Sequence, residues 1–267
     1  MQKRSPLSRT SAIGGVIQLR GILGAAVENL GIRIVRGEWG EGEAISKEAD
    51  LVEELDVSRS VVRESFRILG AKGLIRSKTS DGTRVTPRSE WRLLDPDVMD
   101  WRIRAGDTIS LLEDLQKVRL VMEPGIAYAA TQMATPEQRA RVEAAWKRKV
   151  EVAEDTGSDA AEQRQNFIEA DLDFHRTLIE CVSSELLEQL YAVIEASLSL
   201  SIDVQMAAVG YVSEMVGMDE SHELHKAVYR AFMDKDAEGA CIAMRKVIES
   251  AIRDMHDGLA QRRADTS

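Results

Sequence analysis

Two groups of residues stand at spacings that could do chemistry. In Ser58-Arg59-Ser60…Arg63 the two arginines are four apart and share one face of a helix. A helix N-terminus exposes unpaired N–H groups and the positive end of the dipole, which attract phosphate. From there an arginine can fork onto guanine in a major groove, and the serines can reach phosphate or base edges. The second group lies in the C-terminal half. Asp171 and His175, also four apart, put a carboxylate and an imidazole on one helical face, half of a metal site. His225 stands on a later helix beside Leu224 and Val228. Arg119 interrupts the apolar run Leu115…Val118-Arg119-Leu120-Val121-Met122, where a guanidinium needs an anionic partner. Plainer readings stand beside these. Arg59 and Arg63 can pair with Glu64 or Glu54, Asp171 and His175 can form a surface pair, and His225 can be structural. Arg119 can pair with Glu123 four residues on. Spacing alone leaves both sets of readings open.

The first group needs a module to present it. Ile13, Val16, Ile17, Leu23, Val27 and Leu30 predict a helix over about 11–29, with Gly31 as its stop and Ile32–Val35 as a short apolar stretch. A glycine-rich loop follows. Ser46 is the expected N-cap of a helix over 47–55, and a second helix begins near Ser58 and ends at Gly73. Leu74–Lys78 and Thr83–Thr86 read as strands joined at Ser80-Asp81-Gly82. Helix, helix–turn–helix, then hairpin is the order of a winged helix-turn-helix.

Pro87–Pro96 marks a boundary, and the stretch from Trp91 to Trp101 is too apolar for a free linker. It is expected to pack between modules or against a partner subunit. From Thr108 the pattern is helical throughout, over 108–134, 136–155, 160–182, 185–209, 219–234 and 236–262. Breaks fall at Thr135-Pro136, Gly157-Ser158, Ser183-Ser184, Gly210, Gly217 and 234–236. The fold class is therefore mostly α. A winged helix-turn-helix with a small hairpin wing occupies 1–88, a linker 89–107, and an all-α six- or seven-helix bundle 108–267.

Composition agrees. Five prolines in 267 residues favour helices over a turn-rich β architecture. Two cysteines, Cys181 and Cys241, are too few for a disulfide framework and suit a reducing compartment. Ser11–Leu19 faintly resembles a signal core, but Arg20 interrupts it; a cytoplasmic chain without a membrane partner is expected. The net charge of −10 divides into +3 over residues 1–90 and −13 over the rest; an acidic chain can still bind nucleic acid through a basic module, but +3 over ninety residues is also ordinary fluctuation, so the motifs decide.

The motifs carry a resemblance. Gly42-Glu43…Glu48…Leu51…Leu55-Asp56-Val57-Ser58-Arg59-Ser60-Val61-Val62-Arg63-Glu64, then Lys72-Gly73-Leu74-Ile75 and Gly82-Thr83-Arg84-Val85, resembles the DNA-binding domain of the GntR superfamily. It departs at Glu41, where the family usually has Pro, and at Ser46-Lys47, usually Pro-Ser. Ala49 stands where one branch has a DNA-touching arginine. The resemblance implies Ser58, Arg59, Ser60 and Arg63 as contacts to operator double-stranded DNA, with Gly82 at the wing tip. Val118-Arg119-Leu120-Val121-Met122-Glu123-Pro124, Asp171-x-x-Phe174-His175-x-x-Leu178 and His225-Lys226-Ala227-Val228 resemble the FCD ligand-binding domain of FadR-type GntR regulators.

That likeness implies a homodimer whose helical domain holds a small carboxylate effector, often on a divalent metal of the zinc type. Asp171, His175 and His225 fall on three of the four metal-ligand positions, and together with Arg119 they form the expected effector site. Val247 stands where the fourth ligand, a histidine, is expected. The segment around Trp91 is similar to that of regulators of sugar-acid catabolism, which points to a sugar acid. The leading expectation is a repressor and not an enzyme. Two alternatives are a metal-dependent enzyme built on Asp171, His175 and His225, and an architectural DNA-binding protein without effector.

Overall fold

The computed structural model describes residues 21–78, 81–155, 157, 159–192, 194–195 and 218–265. The signal-like Ser11–Leu19, the first half of the 11–29 helix, Ser80, most of 193–217 and the breaks at Gly210 and Gly217 lie outside them. The chain forms two compact units that divide between Asp107 and Thr108.

In the first unit, α1 (Gly21–Val35) leads to α2 (Glu48–Leu55) and α3 (Arg59–Ala71), then to β1 (Ile75–Lys78) and β2 (Gly82–Val85). The strands pair antiparallel with Ile75 opposite Val85, and an isolated bridge from Ala44 to Arg84 ties the preceding loop to the hairpin. Leu30, Ile34, Leu51, Val62, Leu69, Leu74 and Val85 form the core, so each element contributes one apolar face. This is a winged helix-turn-helix.

Three local expectations are corrected. Gly31 does not stop α1, which runs on to Val35, so Ile32–Val35 is its last turn and not a separate stretch. The glycine serves close packing instead: a Cβ there would come within 2.4 Å of the Trp101 ring. Ser46 does not cap α2. The cap is Lys47, which makes no side-chain hydrogen bond, at the position where the family usually places Ser. The segment 89–107, expected as a linker, packs within the first unit. Its helix α4 (Pro96–Ala105) starts on the Asp95 cap, and Val98 and Trp101 join the first unit's core. Lys72, at the end of α3, reaches Asp95 at 2.7 Å and Asp97 at 2.8 Å, fixing the start of α4 to the end of α3.

The second unit is helical throughout its described residues. It comprises α5 (Thr108–Met133), α6 (Pro136–Glu154), α7 (Ala160–Glu180), a helix α8 described over 185–192, α9 (Met218–Met233) and α10 (Ala237–Asp265). Thr135 and Gln138 close a capping box at the start of α6. Val142, Phe174, Leu178, Val228, Phe232, Met244 and Ile248 fill the centre. No described helix is long and apolar enough to cross a membrane.

Candidate functional site

Ser58 ends the turn between α2 and α3 and caps α3, its Oγ accepting from Val61 N at 3.4 Å. Its hydroxyl also lies 2.8 Å from that of Ser60. Arg59, Ser60 and Arg63 follow on exposed positions of the first two turns, while Val62, Phe66 and Leu69 bury the opposite face. Arg63 touches Glu48 at 2.9 Å, yet 66% of its side chain stays exposed. The partners named from spacing are taken by others: Glu64 pairs with Arg67 and Glu54 with Arg33. Gly82 opens β2 at φ +73°, and its missing Cβ leaves open space. Beside it, Arg84 holds Asp81 and donates to the Gly42 carbonyl at 2.9 Å, so this wing arginine braces the hairpin. These side chains form a basic, solvated face that a polyanion can displace water from.

The second unit brings its four expected residues into one buried cluster. Asp171 and His175 come from α7, His225 from α9 and Arg119 from α5. His225 Nδ1 donates to the Ser221 carbonyl at 2.7 Å, which leaves Nε2 as a bare lone pair. That Nε2 lies 3.1 Å from Asp171 Oδ1 and 3.2 Å from His175 Nε2. On its other side, His175 Nδ1 sits 2.7 Å from Glu123 Oε2 but off its donor axis, without an aligned hydrogen bond.

This arrangement tests the fit of a metal. In either neutral tautomer His175 sets a lone pair against another acceptor, Glu123 on one side or His225 on the other. A cation shared by the two Nε2 atoms removes the conflict, with Nδ1 then protonated toward Glu123. Ligands about 2.0–2.2 Å from one tetrahedral ion stand roughly 3.3–3.6 Å apart. The 3.1 and 3.2 Å separations are close to this, whereas Asp171 Oδ2 to His175 Nε2 is 3.9 Å. Asp171, His175 and His225 therefore fit a divalent ion in kind and spacing. Val247 is buried in the apolar core and adds no donor.

The Arg119–Glu123 pair named from spacing is present, but the further contacts of Glu123 and the rest of the cluster were missed from the sequence. Glu123 joins its two halves: Oε1 accepts from Arg119 Nε at 2.5 Å and lies 3.5 Å from the Tyr191 hydroxyl, while Oε2 faces His175. Gln116 approaches Arg119 Nη1 at 3.5 Å. Lys149 of α6 is 1% exposed and puts its ammonium 2.5 Å from Asp171 Oδ1. The signal for Lys149 was present, because Val142, Ala145, Trp146 and Lys149 share the buried stripe of α6.

Burial would raise the pKa of Asp171, but the Lys149 ammonium and His225 hold it well below the usual carboxylate range. Burial likewise works against ionised Glu123, yet Arg119 and His175 bring its pKa to about 2. His225 is pushed down to about 4 by burial first and then by the Lys149 charge. The cluster thus contains two ion pairs and a neutral His225 imidazole aimed at one point.

The profile for "Bacterial regulatory proteins, gntR family" matches residues 24–85, and that for "FCD domain" matches residues 114–250. The galactonate operon transcriptional repressor of Escherichia coli K12 is 32% identical over 230 residues, 85% of this chain and 93% of the relative. The chain belongs to the GntR family, FadR type. Other relatives include the transcriptional repressor NanR of Klebsiella aerogenes, 28% identical over 84% of this chain and 81% of NanR. LutR of Bacillus subtilis is 27% identical over 82% of this chain and 95% of LutR. The solved structure of Lar, which controls expression of the Listeria monocytogenes agr system, shares the fold at TM-score 0.52. It is 14% identical and covers 90% of this chain and 98% of its own. This GntR regulator is a DNA-binding transcription regulator and not an enzyme.

Proposed function

We propose that this GntR regulator is a homodimeric repressor, released from its operator by a small carboxylate bound in the buried cluster of the second unit. The observation that carries the reading is the cluster itself. A core that buries Arg119, Glu123, Lys149, His175 and His225 around the half-buried Asp171 is often no more stable than an apolar one of the same volume, which fits a place kept for a polar ligand. Arg119 presents guanidinium N–H groups whose contacts to Gln116 and Glu123 Oε2 are long, 3.5 Å each, and a carboxylate matches that fork. The likeness to the galactonate operon repressor supports a sugar acid as the effector class. When a divalent ion of the zinc type is supplied, Asp171, His175 and His225 are the residues that would hold it. With no donor from Val247, positions stay open for the acid's carboxylate and hydroxyl.

Ser58, Arg59, Ser60 and Arg63 would contact operator DNA from the start of α3, with the Gly82 wing on the neighbouring phosphates. Two-fold symmetry would set two such helices on successive major-groove faces of a palindrome. The acid must favour a dimer arrangement that fits this palindrome less well, since only a difference in affinity between states shifts occupancy. The test is anisotropy of a selected operator fragment, titrated with a panel of aldonates. Arg119→Lys is the informative variant. It keeps a positive partner for Glu123 but loses the fork, so it should bind operator normally and need at least tenfold more acid for release. Release at the parent's concentration would make Arg119 a structural residue, and indifference to every acid would favour an architectural role.

A further inference from the structure

Lys149 is the one buried charge in the cluster that neither the metal site nor the Arg119 fork requires. Its side chain is 1% exposed, and its ammonium lies 4.5 Å from the centre of the Phe167 ring and 2.5 Å from Asp171 Oδ1. That is the same oxygen that faces His225 Nε2 at 3.1 Å. A divalent ion held on Oδ1 at about 2.1 Å would stand no more than about 4.6 Å from the ammonium. In a buried site two cations at that separation repel strongly.

Charge leads to the same place. Lys149 with Asp171, and Arg119 with Glu123, make the cluster formally neutral before any ion arrives. We propose that Lys149 is the site's own cation: it occupies Asp171 where a metal would, and a divalent ion enters only by displacing it. The proposal deepens the reading of this cluster as the ligand pocket. In its resting form the pocket then offers an incoming carboxylate two side-chain cations, Arg119 and Lys149.

The test uses chelator-treated full-length protein and no effector. Nickel or zinc is titrated by calorimetry into the parent, Lys149→Met and Lys149→Arg, with bound metal counted by elemental analysis after dialysis. Lys149→Met keeps the length and apolar stem of the side chain and removes its charge, so it should bind metal at least tenfold more tightly than the parent. Lys149→Arg keeps the charge and should stay as weak as the parent. Asp171→Asn in the Lys149→Met background should lose the gain, which assigns the ion to this site. Equal affinities in the parent and Lys149→Met, or no binding in any variant, would overturn the proposal. Circular dichroism and thermal melting of each variant separate this from misfolding; if Lys149→Met does not fold, Lys149→Gln takes its place. Operator release by aldonates is read independently, so either result leaves the repressor reading standing or falling on its own.

Discussion

Arg63 and Arg119 are the same residue type, each beside a glutamate, in opposite surroundings. Arg63 on α3 touches Glu48 at 2.9 Å with two thirds of its side chain in water. Arg119 on α5 touches Glu123 at 2.5 Å with 8% exposed. The first contact is a surface pair that a phosphate or a base edge can replace at little cost. The second is a fixed pair whose desolvation is complete before any ligand arrives, so the guanidinium is already aimed. A surface that must engage a long polyanion keeps its charges hydrated and exchangeable. A pocket that must select one small acid keeps its charges buried and positioned.

The largest expected effect would break this contrast if absent. Glu123→Ala leaves Arg119 buried without its carboxylate and should cost about 3–5 kcal/mol of stability in denaturant unfolding. Glu48→Ala should change it by less than about 1 kcal/mol. Comparable losses would mean that the two pairs do not differ in the way their burial implies.

On the exposed side, Arg59→Ala and Arg63→Ala should each weaken operator binding by about 1–3 kcal/mol, with unchanged melting and altered sequence preference. Operator affinity of the parent should also fall steeply with salt, as released counterions require. Acid binding in the buried cluster should change little over the same salt range. Isothermal titration at several ionic strengths compares the two slopes directly.

Acid titration sharpens the contrast further. The Glu123 pKa is lowered from 4.5 to about 2, with Arg119, His175 and Tyr191 facing it. A depressed carboxylate contributes stability that is fully present above about 4.5 and lost as pH falls from there toward about 2. Glu123→Gln should flatten that acid limb of the stability profile. A further effect belongs to the packing of the first unit: Gly31→Ala forces a Cβ to 2.4 Å from Trp101 and should cost about 1–3 kcal/mol in denaturant unfolding.

The order of elements was legible because each helix keeps its apolar stripe and each break carries a marked residue, such as the Thr135-Pro136 cap or Gly73 at the end of α3. Gly31 misled because a glycine needed for close approach looks the same in sequence as one needed for a stop. Trp101 could not reveal its partner for the related reason that its contact lies seventy residues upstream. In the buried cluster, spacing brought Asp171 and His175 together because they share a helix. Lys149 and Glu123 were obscured: one sits in a basic run on a different helix, the other looked like an ordinary i, i+4 partner of Arg119. The stripe of α6 could show that Lys149 is buried, but a charge met only through tertiary packing leaves no local period that names its partner.

The central claim is that an acid in the buried cluster governs the exposed arginine face. Its most direct test is the operator affinity of the parent and of Arg119→Lys across an aldonate titration, galactonate included. The account predicts release of the parent, with the Arg119→Lys curve displaced at least tenfold to higher acid at equal starting affinity. Superimposed curves, or an operator complex that no aldonate loosens, would contradict it.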